Sequence, residues 1–124
     1  MEDEERVWPT EIRLAPDRKL VTVTFEDGTR FEYTAEYLRV LSPSAEVQGH
    51  SPEQRQTVPG KKDVGIMSID PVGNYAVRIT FDDMHSTGIF SWDYLHRLGR
   101  EKDELWANYL EELAAKGMSR ERSR

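Results

Sequence analysis

Asp82-Asp83-Met84-His85-Ser86 places two carboxylates and an imidazole side by side in the sequence at a predicted hairpin tip. Such a set could ligate a divalent metal or act as acid and base. The same residue types also cap backbone amides at turns, so the spacing alone does not choose between chemistry and structure. A second group, Glu46, Gln48, His50, Glu53 and Arg55, lies in Ser42 to Asp63, a segment of 22 residues with three prolines and two glycines. Connections in compact domains usually run about four to six residues, so a stretch this long reads as a contact loop or a linker. Stronger signatures are lacking: Gly60-Lys61-Lys62 has neither the upstream glycine nor the following Ser/Thr of a phosphate loop, and there is no His-Glu-x-x-His. Ser44, His50 and Asp63 have the types of a hydrolase triad but no spacing that aligns them. Zero cysteines exclude disulfides, thiol nucleophiles and Cys-ligated zinc.

The 124 residues suit one domain, with 37% hydrophobic and 32% charged side chains. Seventeen bases against 23 acids give a net charge of −6, which repels phosphate backbones and argues against nucleic acid and anionic membranes as partners. No run approaches the roughly 18 apolar residues of a membrane helix, and no basic-then-apolar signal pattern opens the chain, so a cytoplasmic location is expected. Residues 1–7 read as an acidic flexible tail, 8–117 as the domain, and 118–124 as a basic flexible tail.

An internal repeat organises what must position these residues. Val21-Thr-Val-Thr-Phe25-Glu-Asp27 returns as Val77-Arg-Ile-Thr-Phe81-Asp-Asp83, and Glu36-Tyr37-Leu38-Arg39-Val40-Leu41 as Asp93-Tyr94-Leu95-His96-Arg97-Leu98, at offsets of 56 and 57. Each copy predicts a first strand (Glu11 to Leu14; Ile66 to Asp70), a Pro-containing turn, and a second strand that buries Val21, Val23 and Phe25, or Val77, Ile79 and Phe81. A tight turn follows, then a third strand and a short helical turn capped by Thr34 or Ser91. Against the plain Glu26-Asp27-Gly28, the turn at Asp82 reads as elaborated by extra residues. Leu105, Trp106, Tyr109, Leu110 and Leu113 mark a C-terminal helix from Lys102 to Lys116, stopped by Gly117. The expected fold is α+β: two three-stranded antiparallel meanders, each followed by a helical turn and packed in a pseudo-twofold pair, plus that helix.

The residues Trp8-Pro9-Thr10-Glu11-Ile12, Phe25-Glu-Asp-Gly28, the run from Glu36 to His50, Val72-Gly-Asn-Tyr-Ala-Val77 and Ser86-Thr-Gly-Ile-Phe-Ser-Trp-Asp-Tyr-Leu95 have a familiar order. Over about residues 8 to 100 the chain resembles the small stand-alone bacterial members of the gamma-butyrobetaine hydroxylase-like N-terminal domain family. The resemblance implies a module that elsewhere precedes an iron- and 2-oxoglutarate-dependent catalytic domain, or accompanies P-loop ATPases of iron–sulfur cluster delivery. It also implies a structural zinc held by a Cys-Pro-Cys-x-x-Cys run and a histidine. Those positions fall here on Ser42, Ser44, Val47 and His85, so three of the four ligands are replaced. Hydroxylase activity does not transfer, because the iron ligands lie in the other domain.

Taken together, the expectation is a non-enzymatic binding or adaptor module with a protein partner, accessory to iron–sulfur or iron-dependent enzymes. Its contact surface would comprise Ser42, Ser44, Gln48, His50, Arg55 and Trp92. The competing expectation is a site for zinc or iron built from His85, His50, Asp83 and Glu46, and a third is a small acid–base enzyme using Asp82, Asp83 and His85. An exposed edge strand in each meander leaves homodimerisation open.

Overall fold

Alternating apolar side chains set two sheets in the computed structural model, which describes residues 7–44, 47, 56–85 and 88–121. The first sheet has the order β1-β2-β3, from β1 (Pro9–Leu14), β2 (Leu20–Phe25) and β3 (Arg30–Thr34). The second has the order β4-β5-β6, from β4 (Ile66–Val72), β5 (Ala76–Phe81) and β6 (Gly88–Ser91). All pairings are antiparallel. Val21, Val23 and Phe25 from one central strand and Val77, Ile79 and Phe81 from the other are buried in a single apolar core. The expected α+β architecture is therefore the observed one.

Two expectations about the strands needed adjustment. β1 starts two residues earlier than Glu11, at Pro9. Pro71, expected in a turn, lies within β4, opposite Val77. Its missing N–H costs nothing there, because β4 is an edge strand.

Helices cover the open ends of the core. Thr34 caps α1 (Ala35–Val40), its hydroxyl accepting from the Tyr37 amide at 3.0 Å, and Ser91 caps α2 (Trp92–Arg100) by accepting from the Tyr94 amide at 3.1 Å. The second "helical turn" is thus a nine-residue helix, joined through Glu101 alone to α3 (Lys102–Ala115). Met118 donates to the Leu113 carbonyl and Gly117 to Ala114, the paired bonds of a Schellman stop. Of the stripe on α3, Tyr109 and Leu113 are buried while Leu110 is exposed. No helix among the described residues is long and apolar enough to cross a membrane.

The chain beyond Gly117 does not leave the body at once. Ser119 and Arg120, read as part of a basic tail, accept through their carbonyls from the Gly60 and Lys62 amides at 2.9 and 3.1 Å. The Arg120 guanidinium also forks onto the buried Glu36 carboxylate at 2.8 and 2.9 Å.

Candidate functional site

The turn at Asp82 is built like its counterpart in the first sheet. Phe25 N–H donates to Thr29 O and Gly28 N–H to Phe25 O; Phe81 N–H donates to His85 O and Met84 N–H to Phe81 O. Asp27 Oδ1 accepts from the Thr29 amide at 2.9 Å, as Asp83 Oδ1 does from His85 at 3.1 Å. Gly28 and Met84 occupy the left-handed position, with φ of +88° and +73°. From Asp82 to His85 the turn therefore matches its counterpart residue for residue, with Met84 standing where the fold would favour glycine; the one extra residue of this hairpin, Val77 pairing with Phe90 where Val21 pairs with Tyr33, falls between His85 and Gly88. Ser86 lies outside the described residues.

Asp83 is held by three donors. Besides the turn amide, Arg39 Nε lies 2.8 Å and Lys61 Nζ 2.6 Å from Oδ2. Burial alone would raise its pKa, but the Lys61, His85 and Arg39 hydrogen bonds outweigh it and hold the carboxyl down at about 2. Asp83 is thus a counter-ion in a structural cluster. Among the described residues no three of His, Asp and Glu converge as a metal ligand set. Glu46, Gln48, His50 and Arg55 lie outside the described residues.

His85 turns inward. Its Nε2 is 3.1 Å from Ser42 Oγ and 3.3 Å from Ser44 Oγ, and its ring tilts against Phe81 with centroids 6.2 Å apart. Val47 closes the same loop, its amide donating to the Ser44 carbonyl at 3.1 Å. All four side chains are buried, so Ser42 and Ser44 do not form the contact surface expected of them. Close approach depends on Gly88: a Cβ there would stand 2.5 Å from Ser42 Oγ. Of the positions that resemblance assigns to a zinc site, Ser42, Ser44 and His85 meet in space and Val47 is tied to Ser44 through its backbone, yet the side chains present do not suit zinc. Two neutral hydroxyls and an aliphatic group replace three thiolates.

Trp92 sits at the far end of the β5–β6 hairpin from His85, since Ser91 pairs with Ala76 while His85 follows Phe81. Its indole N–H donates to the Asn74 carbonyl at 2.9 Å. Together with Trp8 and Tyr75 it lines an open cleft of about 470 Å³ whose polar residues include Asp93. Tyr75 is 54% exposed and Trp8 37%. Of the expected contact surface, the two serines are internal and Trp92 belongs to this cleft, while Gln48, His50 and Arg55 lie outside the described residues.

Sequence reasoning missed the third imidazole of the chain. His96 Nε2 lies 3.0 Å from Asp27 Oδ2, Arg100 Nε donates to its Nδ1 at 3.1 Å, and Phe25 and Phe31 meet its ring edge-on. Hydrogen bonds from the Thr29 hydroxyl and amide lead the causes that lower the Asp27 pKa. The four-residue spacing of His96 and Arg100 on a helix was the available signal. Its partner Asp27 is 69 residues away, which no local pattern reveals.

The comparisons agree with this architecture. The family model described as gamma-butyrobetaine hydroxylase-like, N-terminal, matches residues 12–96. One solution NMR structure is 43% identical, with a TM-score of 0.82, covering 96% of this chain and 94% of that one. A second is also 43% identical, with a TM-score of 0.79 and coverage of 94% and 87%. A crystal structure of an Acidithiobacillus ferrooxidans protein of unknown function, from the DUF971 family, is 41% identical with a TM-score of 0.62, covering 73% of this chain and 91% of that one. No curated protein matches. With a family model spanning both sheets from β1 to α2, the chain belongs to the gamma-butyrobetaine hydroxylase-like N-terminal domain family.

Proposed function

We propose that this chain is a non-enzymatic adaptor that binds a protein partner through the cleft of Trp8, Tyr75 and Trp92. The observation that carries the reading is the grouping of three aromatic side chains around one open surface cleft, two of them more than a third exposed. Large rings combine apolar area with little rotamer entropy to lose, which makes them frequent anchors of protein interfaces. The internal engagement of Asp83, His85 and His96 supports a binding role over acid–base chemistry, because each group already serves the fold. The resemblance to modules found beside iron-dependent hydroxylase domains and iron–sulfur ATPases makes an enzyme of that kind the partner to test first.

Capture from native lysate with the intact protein, run beside Tyr75→Ala, tests this reading. Tyr75 is half-exposed at the β4–β5 turn, so its truncation should leave the fold intact. The expected result is an iron-containing protein retained by the wild type and lost from the variant. Equal retention by both would remove the cleft from the reading, and retention of no stable partner would remove the adaptor role itself.

A further inference from the structure

Resemblance places a metal among Ser42, Ser44, Val47 and His85, and the donor chemistry does not suit one. We infer that in this chain the pocket is a hydrogen-bonded latch that does the structural work of the missing ion, and that it retains the geometry of a ligand set. The latch joins the chain just after α1 to the turn after β5, 43 residues apart between Ser42 and His85.

Two features support this. First, the polar atoms are satisfied without an ion: a hydroxyl can donate or accept, so either imidazole tautomer finds a partner in Ser42 or Ser44. The Ser44 amide adds a bond to Ser42 Oγ at 3.3 Å. Second, the groups already converge. Atoms bound about 2.0–2.3 Å from a tetrahedral ion stand roughly 3.3–3.8 Å from one another, and the two Oγ atoms, at hydrogen-bond distances of 3.1 and 3.3 Å from Nε2, need only a small outward shift to reach that spacing. What the pocket lacks is charge. A serine hydroxyl stays protonated near neutral pH and Val47 offers no lone pair, leaving the imidazole as the single good donor among the four.

The inference is independent of the adaptor reading, and metal titration of untagged protein tests it. Wild type should hold less than about a tenth of an equivalent of zinc, and its melting temperature should not move with a chelator. The triple variant Ser42→Cys, Ser44→Cys, Val47→Cys should bind one zinc per chain, gain thermal stability on loading and lose it to the chelator. With Co²⁺ it should show thiolate-to-cobalt charge-transfer absorption. Near-stoichiometric zinc in the wild type, or a folded triple variant that takes none, would overturn the inference. Should the triple variant not fold, the Ser42→Ala and His85→Ala cycle decides. The latch requires the double variant to lose clearly less melting temperature than the two single losses added, and strict additivity would overturn it.

Discussion

Asp83 shows what a motif of chemistry-bearing residues becomes once the chain has folded. Its two oxygens take the His85 amide, the Arg39 guanidinium and the Lys61 ammonium, so an apparent metal or catalytic acid is the counter-ion of a cation pair. The turn-capping half of this role was legible, since Asp at a hairpin tip commonly accepts from an amide two residues on. The other half was not, because Arg39 is 44 residues away. The carboxyl is held at about 2, below its ordinary 3.8, so its contribution to stability is complete above about pH 4 and is lost as pH falls toward 2. Asp83→Asn should lower the melting temperature by several degrees near neutral pH, with the difference from wild type closing as pH falls through that window; a gap unchanged at pH 2 would contradict the assignment. The neighbouring Met84 makes the opposite prediction. A non-glycine residue in the left-handed region costs roughly 1–2 kcal/mol, offset in part by the greater chain entropy of glycine. Met84→Gly should raise the melting temperature by about 1–4 °C, read by thermal denaturation at neutral pH.

At the scale of elements, period-two alternation and capping residues made both sheets and the starts of α1 and α2 readable, because each depends on neighbours a few residues apart. The way α2 is fastened was not readable. Tyr33 and Tyr37, from β3 and α1, donate to the carbonyls of Leu95 and Leu98 at 2.7 and 2.6 Å, and Leu98 is among the last four carbonyls that a helix leaves without an intrahelical partner. Alternation marks Tyr33 as an inward residue but says nothing of what its hydroxyl meets 62 residues on. Removing the Tyr37 hydroxyl leaves the Leu98 carbonyl without this donor in a dry site, at a cost of about 1 kcal/mol. Tyr37→Phe should therefore lower the melting temperature by about 3–6 °C, with half-exposed Tyr75→Phe as a neutral control. Burial raises the pKa of both Tyr33 and Tyr37, so the neutral phenols support the fold below about pH 10 and withdraw that support as pH rises beyond it. Alkaline unfolding followed by circular dichroism should accordingly be less steep in Tyr37→Phe than in wild type.

For the whole molecule, the question is how far the folded body extends along the chain. Composition suggested that it ends at Gly117, because Ser119 to Arg124 carries three bases and one acid and has no apolar pattern. Contacts distant in sequence carry the fold further. Arg120 reaches back 84 residues to Glu36 in a two-pronged ion pair, its guanidinium 5.3 Å above the Trp106 ring, while the main chain at Ser119 and Arg120 receives the Gly60 and Lys62 amides. This strap lies over α1 and α3 and joins them to the segment that leads into β4. The Glu36 side chain is only 6% exposed, so deleting residues 118–124 leaves a buried carboxylate without its partner. The expected cost is about 2–3 kcal/mol, the scale of hydrogen bonds to a charged group, and should appear as a lower denaturant midpoint with an unchanged slope. A rescue separates this electrostatic cause from loss of bulk: Glu36→Gln in the truncated chain removes the stranded charge and should recover part of the midpoint, whereas in the full-length chain it should lower it. If the truncated and full-length chains unfold at the same denaturant concentration, the strap contributes nothing and the domain does end at Gly117.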